Sequence, residues 1–302
     1  MFRWLLLFVG LFAGSLHAQQ ESYSFLKPSD TLHIPRRNAV VITTAGLGAT
    51  ALVGLHQLWY KGYPQSQFHF INDNNEWLQM DKAGHVFSCY HLSRLGAESF
   101  RWAGMTTKSQ LLYGSASALA FMTAVEVFDG FSAEWGASWG DIIANTSGTA
   151  LYVGQELLWK EQRIVPKFSF QQTHFAPQRP TILGSSFQEQ LLKDYNGQTY
   201  WLSFTLADFF KSSKIPPWLC IALGYGADGM LAGRSESNAF LAGGNHTRQR
   251  HFYLSLDINL TKIRTNNRLL KTLFSVFNVV KIPAPTLEYQ ASGKWIGHWI
   301  YF

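Results

Sequence analysis

Charge is scarce in this chain. Asp, Glu, Lys and Arg together make up 15% of its 302 residues. Its Lys and Arg are scattered and form no basic block, so the net charge of +6 describes an ordinary surface and argues against nucleic acid as a partner. Cysteine is scarcer still. Cys89 and Cys220 are the only two, too few for a disulfide scaffold, and neither stands near the start of the chain, where a lipid-modified cysteine would be expected. Cys89 falls inside an apolar helical run, so both are expected to be buried free thiols. A P-loop is missing, and so are H-E-x-x-H and any E-x-x-H pair. The closely spaced glycines of Gly224-Tyr225-Gly226-Ala227-Asp228-Gly229 follow a strand without a helical run after them, which suits a hairpin or loop and not a dinucleotide site. No reaction is named by a motif.

Apolar and aromatic residues are plentiful. Hydrophobic residues reach 47% and aromatics 15%, with 11 Trp, enough to fill a sizeable core and to exclude disorder as the main state. A mean hydropathy of -0.04 is too low for a chain built mostly of membrane-crossing helices. A mixed or membrane-resting protein is expected instead. Residues 1–18 read as a secretory signal: Arg3 gives the positive start, Trp4 to Phe12 the apolar core, and small residues up to Ala18 the cleavage sites.

Residues 19–37 follow as a polar, extended leader with Pro28 and Pro35. Ala39 to Trp59 is apolar and long enough to cross a bilayer. Arg36 and Arg37 precede it on the side that signal cleavage would leave outside, against the positive-inside rule. A crossing helix and a helix set into protein or a membrane face are both open. Further helices are expected from Asp81, as its cap, to Trp102, from Ser109 to Phe128, and from Ser138 to Trp159, the last opened by the S-x-x-D signal of Ser138 and Asp141. About four helices within residues 38–160 make a bundle.

Beyond Lys160 the period changes from helical to alternating. Lys167–Phe175, Thr199–Phe210, Trp218–Ala227, Arg250–Leu260, Thr286–Ala291 and Trp295–Phe302 read as about six antiparallel strands, with an amphipathic helix over Arg268–Val280. The fold class is therefore α+β, with a β-rich region over 161–302. The closing Trp299-Ile300-Tyr301-Phe302 is similar to the last strand of outer-membrane barrels, although six strands are too few for a closed barrel of this half alone.

Polar residues interrupt the helices at helical spacings. Asp81 and His85 are four apart and share a face, with Lys82 turned away. Glu126 and Asp129 are three apart, close enough to raise each other's pKa or to recruit a cation. Asp141 and Asn145 are again four apart, with Gly148 one turn on to allow close helix contact and Asn145 placed to hold the carboxylates across the bundle. Asp81, His85, Glu126, Asp129, Asp141 and Asn145 are thus expected to meet, because an ionisable group on an apolar helix is costly unless paired. As a metal site, four carboxylates and one imidazole suit Zn, Mn or Fe. As a structural network, they fix helix register. As a binding site, they take a cation, lipid head group or glycan.

Through these residues the chain resembles the YfiM-like family of uncharacterised bacterial envelope proteins, over about residues 38–230. The helical part is also similar to VanZ-type membrane proteins, whose Asp-Lys-x-x-His start, later Glu, and Asp-x-x-x-Asn-x-x-Gly helix match Asp81, Lys82, His85, Glu126, Asp141, Asn145 and Gly148. The resemblance implies an exported, membrane-associated protein at the outer membrane or periplasmic face, with lipid or another envelope component as partner. It implies no reaction and no cofactor. The expected function is a structural or binding component. The alternative is an envelope enzyme acting on lipid or glycan, with His85 as base and Glu126 or Asp129 as acid or metal ligand.

Overall fold

The computed structural model describes residues 25–210, 214–241 and 247–302. The signal expected at 1–18 and the first residues of the leader lie outside the described residues. Four long helices fill the first half: α1 (Ile34–Leu55), α2 (Met80–Trp102), α3 (Thr107–Gly130) and α4 (Trp139–Leu158). Each of three starts where a side chain accepts an otherwise unpaired backbone N–H: His33 at α1, Thr106 at α3 and Ser138 at α4.

Helix α2 is the centre of this half. Helix α3 crosses it where Gly114 meets Gly96 and Ala97, so closely that a Cβ on Gly114 would lie 2.4 Å from the Ala97 nitrogen. Helix α4 meets it at Gly148, where a Cβ would lie 2.2 Å from the Val86 carbonyl oxygen. Glycine at these points lets whole helix faces come into contact, and Tyr90, Ala97, Leu111 and Tyr152 are buried between them.

Helix α1 stands apart, with Val40 as its one buried residue. It runs into a single π-helical turn, His56–Tyr60. Ile34–Tyr60 and Thr107–Gly130 are long and apolar enough to cross a membrane.

The start of α2 differs from expectation. The helix begins at Met80, and Asp81 sits in its first turn with Gln79 at the cap position. Trp77, Leu78 and Gln79 all have positive φ, a conformation costly for residues with a side chain. Contacts from the second half hold it. The Trp77 N–H donates to the Gly233 carbonyl, the Tyr225 hydroxyl donates to the Leu78 carbonyl, and Arg250 donates to the Gln79 side chain.

A two-residue parallel bridge joins β1 (Phe70–Ile71) to β2 (Ala137–Ser138). The second half is one six-stranded sheet: β3 (Ile164–Phe170), β4 (Gln198–Thr205), β5 (Leu219–Asp228), β6 (Gln249–Ile258), β7 (Ala284–Gln290) and β8 (Trp295–Tyr301). Neighbours in sequence are neighbours in space, all antiparallel. The molecule is α+β with the strand number expected. Gly224 of the glycine-spaced run lies within β5, where a Cβ would lie 2.6 Å from the Trp201 ring.

The sheet curls until the Tyr301 hydroxyl of β8 reaches Tyr253 at 2.9 Å and Thr199 of β4 at 3.3 Å. Its inner face is polar. Lys167 and Lys281 are fully buried, Lys167 lying 2.8 Å from Asp257 and donating to the Ile258 carbonyl, Lys281 donating to the carbonyls of Leu256 and Ile282. The two halves join where Phe87 of α2 packs on Phe168 and Tyr200 and His91 Nε2 lies 2.8 Å from the Pro166 carbonyl.

Candidate functional site: an acidic pocket between helices and sheet

Asp81 and His85 come from the first two turns of α2, Glu126 and Asp129 from the end of α3, and Asp141 and Asn145 from the start of α4. The glycine contacts that press α3 and α4 onto α2 bring these three helix ends together. His85 lies at the middle. Its Nε2 is 3.6 Å from Asp81 Oδ1 and 3.8 Å from Asp141 Oδ1, and its Nδ1 is 3.6 Å from Glu126 Oε1. Asn145 Oδ1 faces His85 Nδ1 at 3.0 Å and also accepts from Cys89. As an oxygen it can only accept, so at this contact His85 Nδ1 is the donor. Asn145 therefore holds the histidine, where the carboxylates were expected to be its partners.

Lys82 is a second correction. It was expected to turn away, but its Nζ bonds Asp73 and lies 2.8 Å from Asp141 Oδ1 and 3.2 Å from Asp81 Oδ2. Its four-carbon stem lets the ammonium reach round the helix end. Three other partners come from outside the expected helices. Asp73 belongs to the Asn-rich turn before α2, Tyr60 to the π turn and Tyr195 to the turn before β4. The Tyr60 hydroxyl donates to Asp129 at 2.7 Å and the Tyr195 hydroxyl to Asp81 at 3.0 Å.

Ser138 has a sequence signal of its own, because Gly136-Ala137-Ser138-Trp139-Gly140 fits G-x-S-x-G between a strand and a helix. The hydroxyl is buried, caps α4 by accepting from the Gly140 and Asp141 N–H groups, and donates to Asp73. No histidine is among its hydrogen-bond partners, so it serves as a helix cap. Glu126 Oε2 accepts from the Ser138 N–H at 3.2 Å, doing from α3 what the acid of a capping box does locally. Glu126 Oε1 is buried and, among the described residues, has no hydrogen-bond partner.

Part of this cluster forms the floor of a cavity of about 640 Å³, with Lys82, Glu126, Ser138 and Asn145 behind the lining. Asp81, His85, Asp129 and Asp141 line it, and Trp59, Trp77, Phe87, Trp135, Tyr195 and Tyr200 belong to its walls. The ligand atoms of Asp81, His85 and Asp141 all lie within 4.8 Å of one another, a spacing that lets three donors share one ion.

The floor and the layer behind it bring together five carboxyl groups, of Asp73, Asp81, Glu126, Asp129 and Asp141, with Lys82 and His85 among them. Burial and neighbouring charge divide the protons among them. Burial pushes Glu126 up to about 7, against the opposing pull of His85. Burial likewise pushes Asp129 up to about 7, although the Tyr60 hydroxyl stabilises its anion. Asp141 is raised by burial and by the charge of Asp81. Asp81 goes the other way: burial raises it, but His85, Lys82 and the Tyr195 hydroxyl together hold it below the usual range. Lys82 is raised, since its carboxylate neighbours outweigh burial. The shared ammonium thus favours the anion at Asp81, and the surplus negative charge is relieved by protons at Asp141, Glu126 and Asp129. His91, at the cavity wall, is pushed down to about 3 by burial and stays neutral.

Comparison with curated proteins and with solved structures returned no match. Residues 69–155, the segment from β1 to near the end of α4, match a family described as predicted periplasmic lipoprotein (DUF2279), a domain of unknown function, so that over the helices carrying the acidic floor the chain is similar to exported cell-envelope proteins whose activity is not established.

Proposed function

We propose that this is an envelope protein whose acidic pocket binds a positively charged group, either a divalent cation or the ammonium head of an amphiphile. One observation carries the reading: Asp73, Asp81, His85, Asp129 and Asp141 line a cavity, and behind them Glu126 Oε1 is buried with no hydrogen-bond partner among the described residues. A network that served register alone would be closed and satisfied. Carboxyls whose protons are held only by crowding exchange them readily for a cation. The aromatic walls suit the apolar part of an amphiphile. The likeness to YfiM-like and VanZ-type proteins, through Asp81, Lys82, His85, Glu126, Asp141, Asn145 and Gly148, supports association with a membrane.

Calorimetric titration of the purified full chain with Zn²⁺, Mn²⁺ and Mg²⁺ in one arm and dodecylammonium in the other tests this and separates the two sources. Binding in one arm, lost in Asp81→Asn and Asp141→Asn, is expected. Absence of heat and of any rise in Tm in both arms would overturn it.

A second reading has its own observation. Asn145 accepts from His85 Nδ1, which leaves Nε2, beside Asp81 and Asp141 in the cavity, as the ring nitrogen available to exchange a proton. In that reading His85 works with Glu126 or Asp129 on a lipid or glycan. His85→Gln that leaves cation binding and stability intact but abolishes turnover of an envelope lipid would select it.

A further inference from the structure

We propose that the outer face of the β3–β8 sheet is a lipid-facing surface, seated among the acyl chains of one leaflet of an anionic membrane. The register makes the case. Leu202, Leu223, Leu254 and Leu287 stand directly opposite one another across β4 to β7, and the row ends on Gly297 of β8. Two residues along the strands on one side, the next outward row reads Tyr200, Tyr225, Phe252, Tyr289 and Trp295; Tyr200 and Tyr225 are covered by α2 and its start, and the open part of the row is Phe252, Tyr289 and Trp295. On the other side, Phe204, Ile221 and Leu256 form a third. None of the three rows contains a charged side chain. The rows between them point inward and contain Ser203, Ser255, Thr286 and Glu288, with the buried Lys167–Asp257 pair further in.

In a soluble sheet the alternation runs the other way, with apolar residues inside and polar ones out. Here the polar side is buried and the leucine row is exposed, the polarity of a sheet whose outer solvent is hydrocarbon. Four residues separate Leu256 from Phe252, about 14 Å of strand, against a hydrocarbon core of roughly 30 Å. The surface therefore suits one leaflet.

Charge identifies the lipid. From Ile263 to Asn278, beyond the Leu256 end of the sheet, the chain has Arg264, Arg268 and Lys271 and no acidic residue. Within it the helix Arg268–Phe277 exposes Leu269, Leu273, Val276 and Phe277. A basic amphipathic helix beside an uncharged apolar face matches anionic head groups above acyl chains.

The test places single cysteines at Leu223→Cys, Leu254→Cys and Leu287→Cys, with Ser237→Cys as the water-facing control. Native Cys89 and Cys220 are buried and stay silent. The full-length chain, labelled with an environment-sensitive fluorophore, is reconstituted into vesicles of phosphatidylethanolamine and phosphatidylglycerol and quenched with doxyl groups on the acyl chains. Quenching several-fold stronger at the three sheet positions than at Ser237 is expected, weakening when phosphatidylglycerol is left out. Equal quenching at all four positions would overturn the proposal. So would protection of the three positions in detergent-free buffer together with a doubled mass by light scattering, because a second copy would then cover the face. Asp81→Asn in the same preparation should leave the quenching unchanged, which keeps this outcome separate from that of the pocket.

Discussion

The Tyr195 hydroxyl, in the turn that leads into β4, donates to Asp81 Oδ1 at 3.0 Å in the first turn of α2. This bond ties the sheet half to the acidic floor and helps keep Asp81 ionised among four other carboxyls. Tyr195→Phe removes one hydrogen bond to a charged group, worth about 1.5–3 kcal/mol. A fall in Tm at pH 7 that persists at pH 4 and shrinks only well below Asp81's ordinary value of 3.8, where its held-down carboxyl takes a proton, is the expected result in thermal melts.

Lys82 is the only lysine among the five carboxyl groups. Lys82→Met keeps the stem but leaves Asp73, Asp81 and Asp141 without their ammonium. Removing one member of a buried ion pair costs about 3–5 kcal/mol. Chemical denaturation should show a loss of that order at pH 8, and Mn²⁺ or Zn²⁺ should restore part of it by taking the ammonium's place. A variant as stable as the parent would mean that the site is solvated.

Glu126 and Asp129 have folded-state pKa values near 7, above their ordinary values of 4.5 and 3.8. Between those values and 7 the folded state binds more protons than the unfolded one, so stability falls as pH rises through that window. Without a bound cation, Tm should drop between about pH 5 and pH 8. Glu126→Gln keeps an acceptor for the Ser138 N–H and should flatten the drop, gaining about 1–2 kcal/mol at pH 8. Cation affinity should rise over the same window as the protons leave, measurable as proton release on binding.

Gly148 tests the helix contact on which the site depends. A side chain there meets the Val86 backbone, which cannot move without α2. Gly148→Val should cost about 1–3 kcal/mol by overpacking and should weaken cation binding as well, because Asp141 and Asn145 ride on the same helix. Unchanged binding in a destabilised variant would show that the site tolerates movement of α4.

The period of the apolar residues made the fold legible. Helical spacing marked α2 to α4 within a few residues of their ends, and alternation marked six strands, because burial of one face imposes those periods on any sequence that folds this way. The α2 start was not legible. No local preference places Trp77, Leu78 and Gln79 in the left-handed region, and only bonds from Gly233, Tyr225 and Arg250 hold them there.

The six candidate residues were visible because polar groups on apolar helices are conspicuous and i, i+4 spacing predicts a shared face. Asp73 was hidden in an Asn-rich turn where turn chemistry accounts for it. Tyr60 and Tyr195 were hidden among the chain's 12 tyrosines, and Lys82 by a helical wheel that ignores the length of its stem. The G-x-S-x-G spacing around Ser138 went unread in the sequence, where Ser138 was placed as the α4 start, and the cap bonds to Gly140 and Asp141 agree with that placing.

By itself the sequence determined that helices precede strands, where each lies, and which side chains needed partners, since these follow from periodicity and from the cost of burying charge. Tertiary structure alone decided which partners they found. A lysine from the same helix, an aspartate from a loop and a tyrosine from the other half meet at one floor because glycine contacts bring α3 and α4 onto α2 and the sheet packs beside them. It also decided that the polar side of the sheet is the inside: alternation shows that a strand has two faces, and only the curl of the sheet shows which is enclosed.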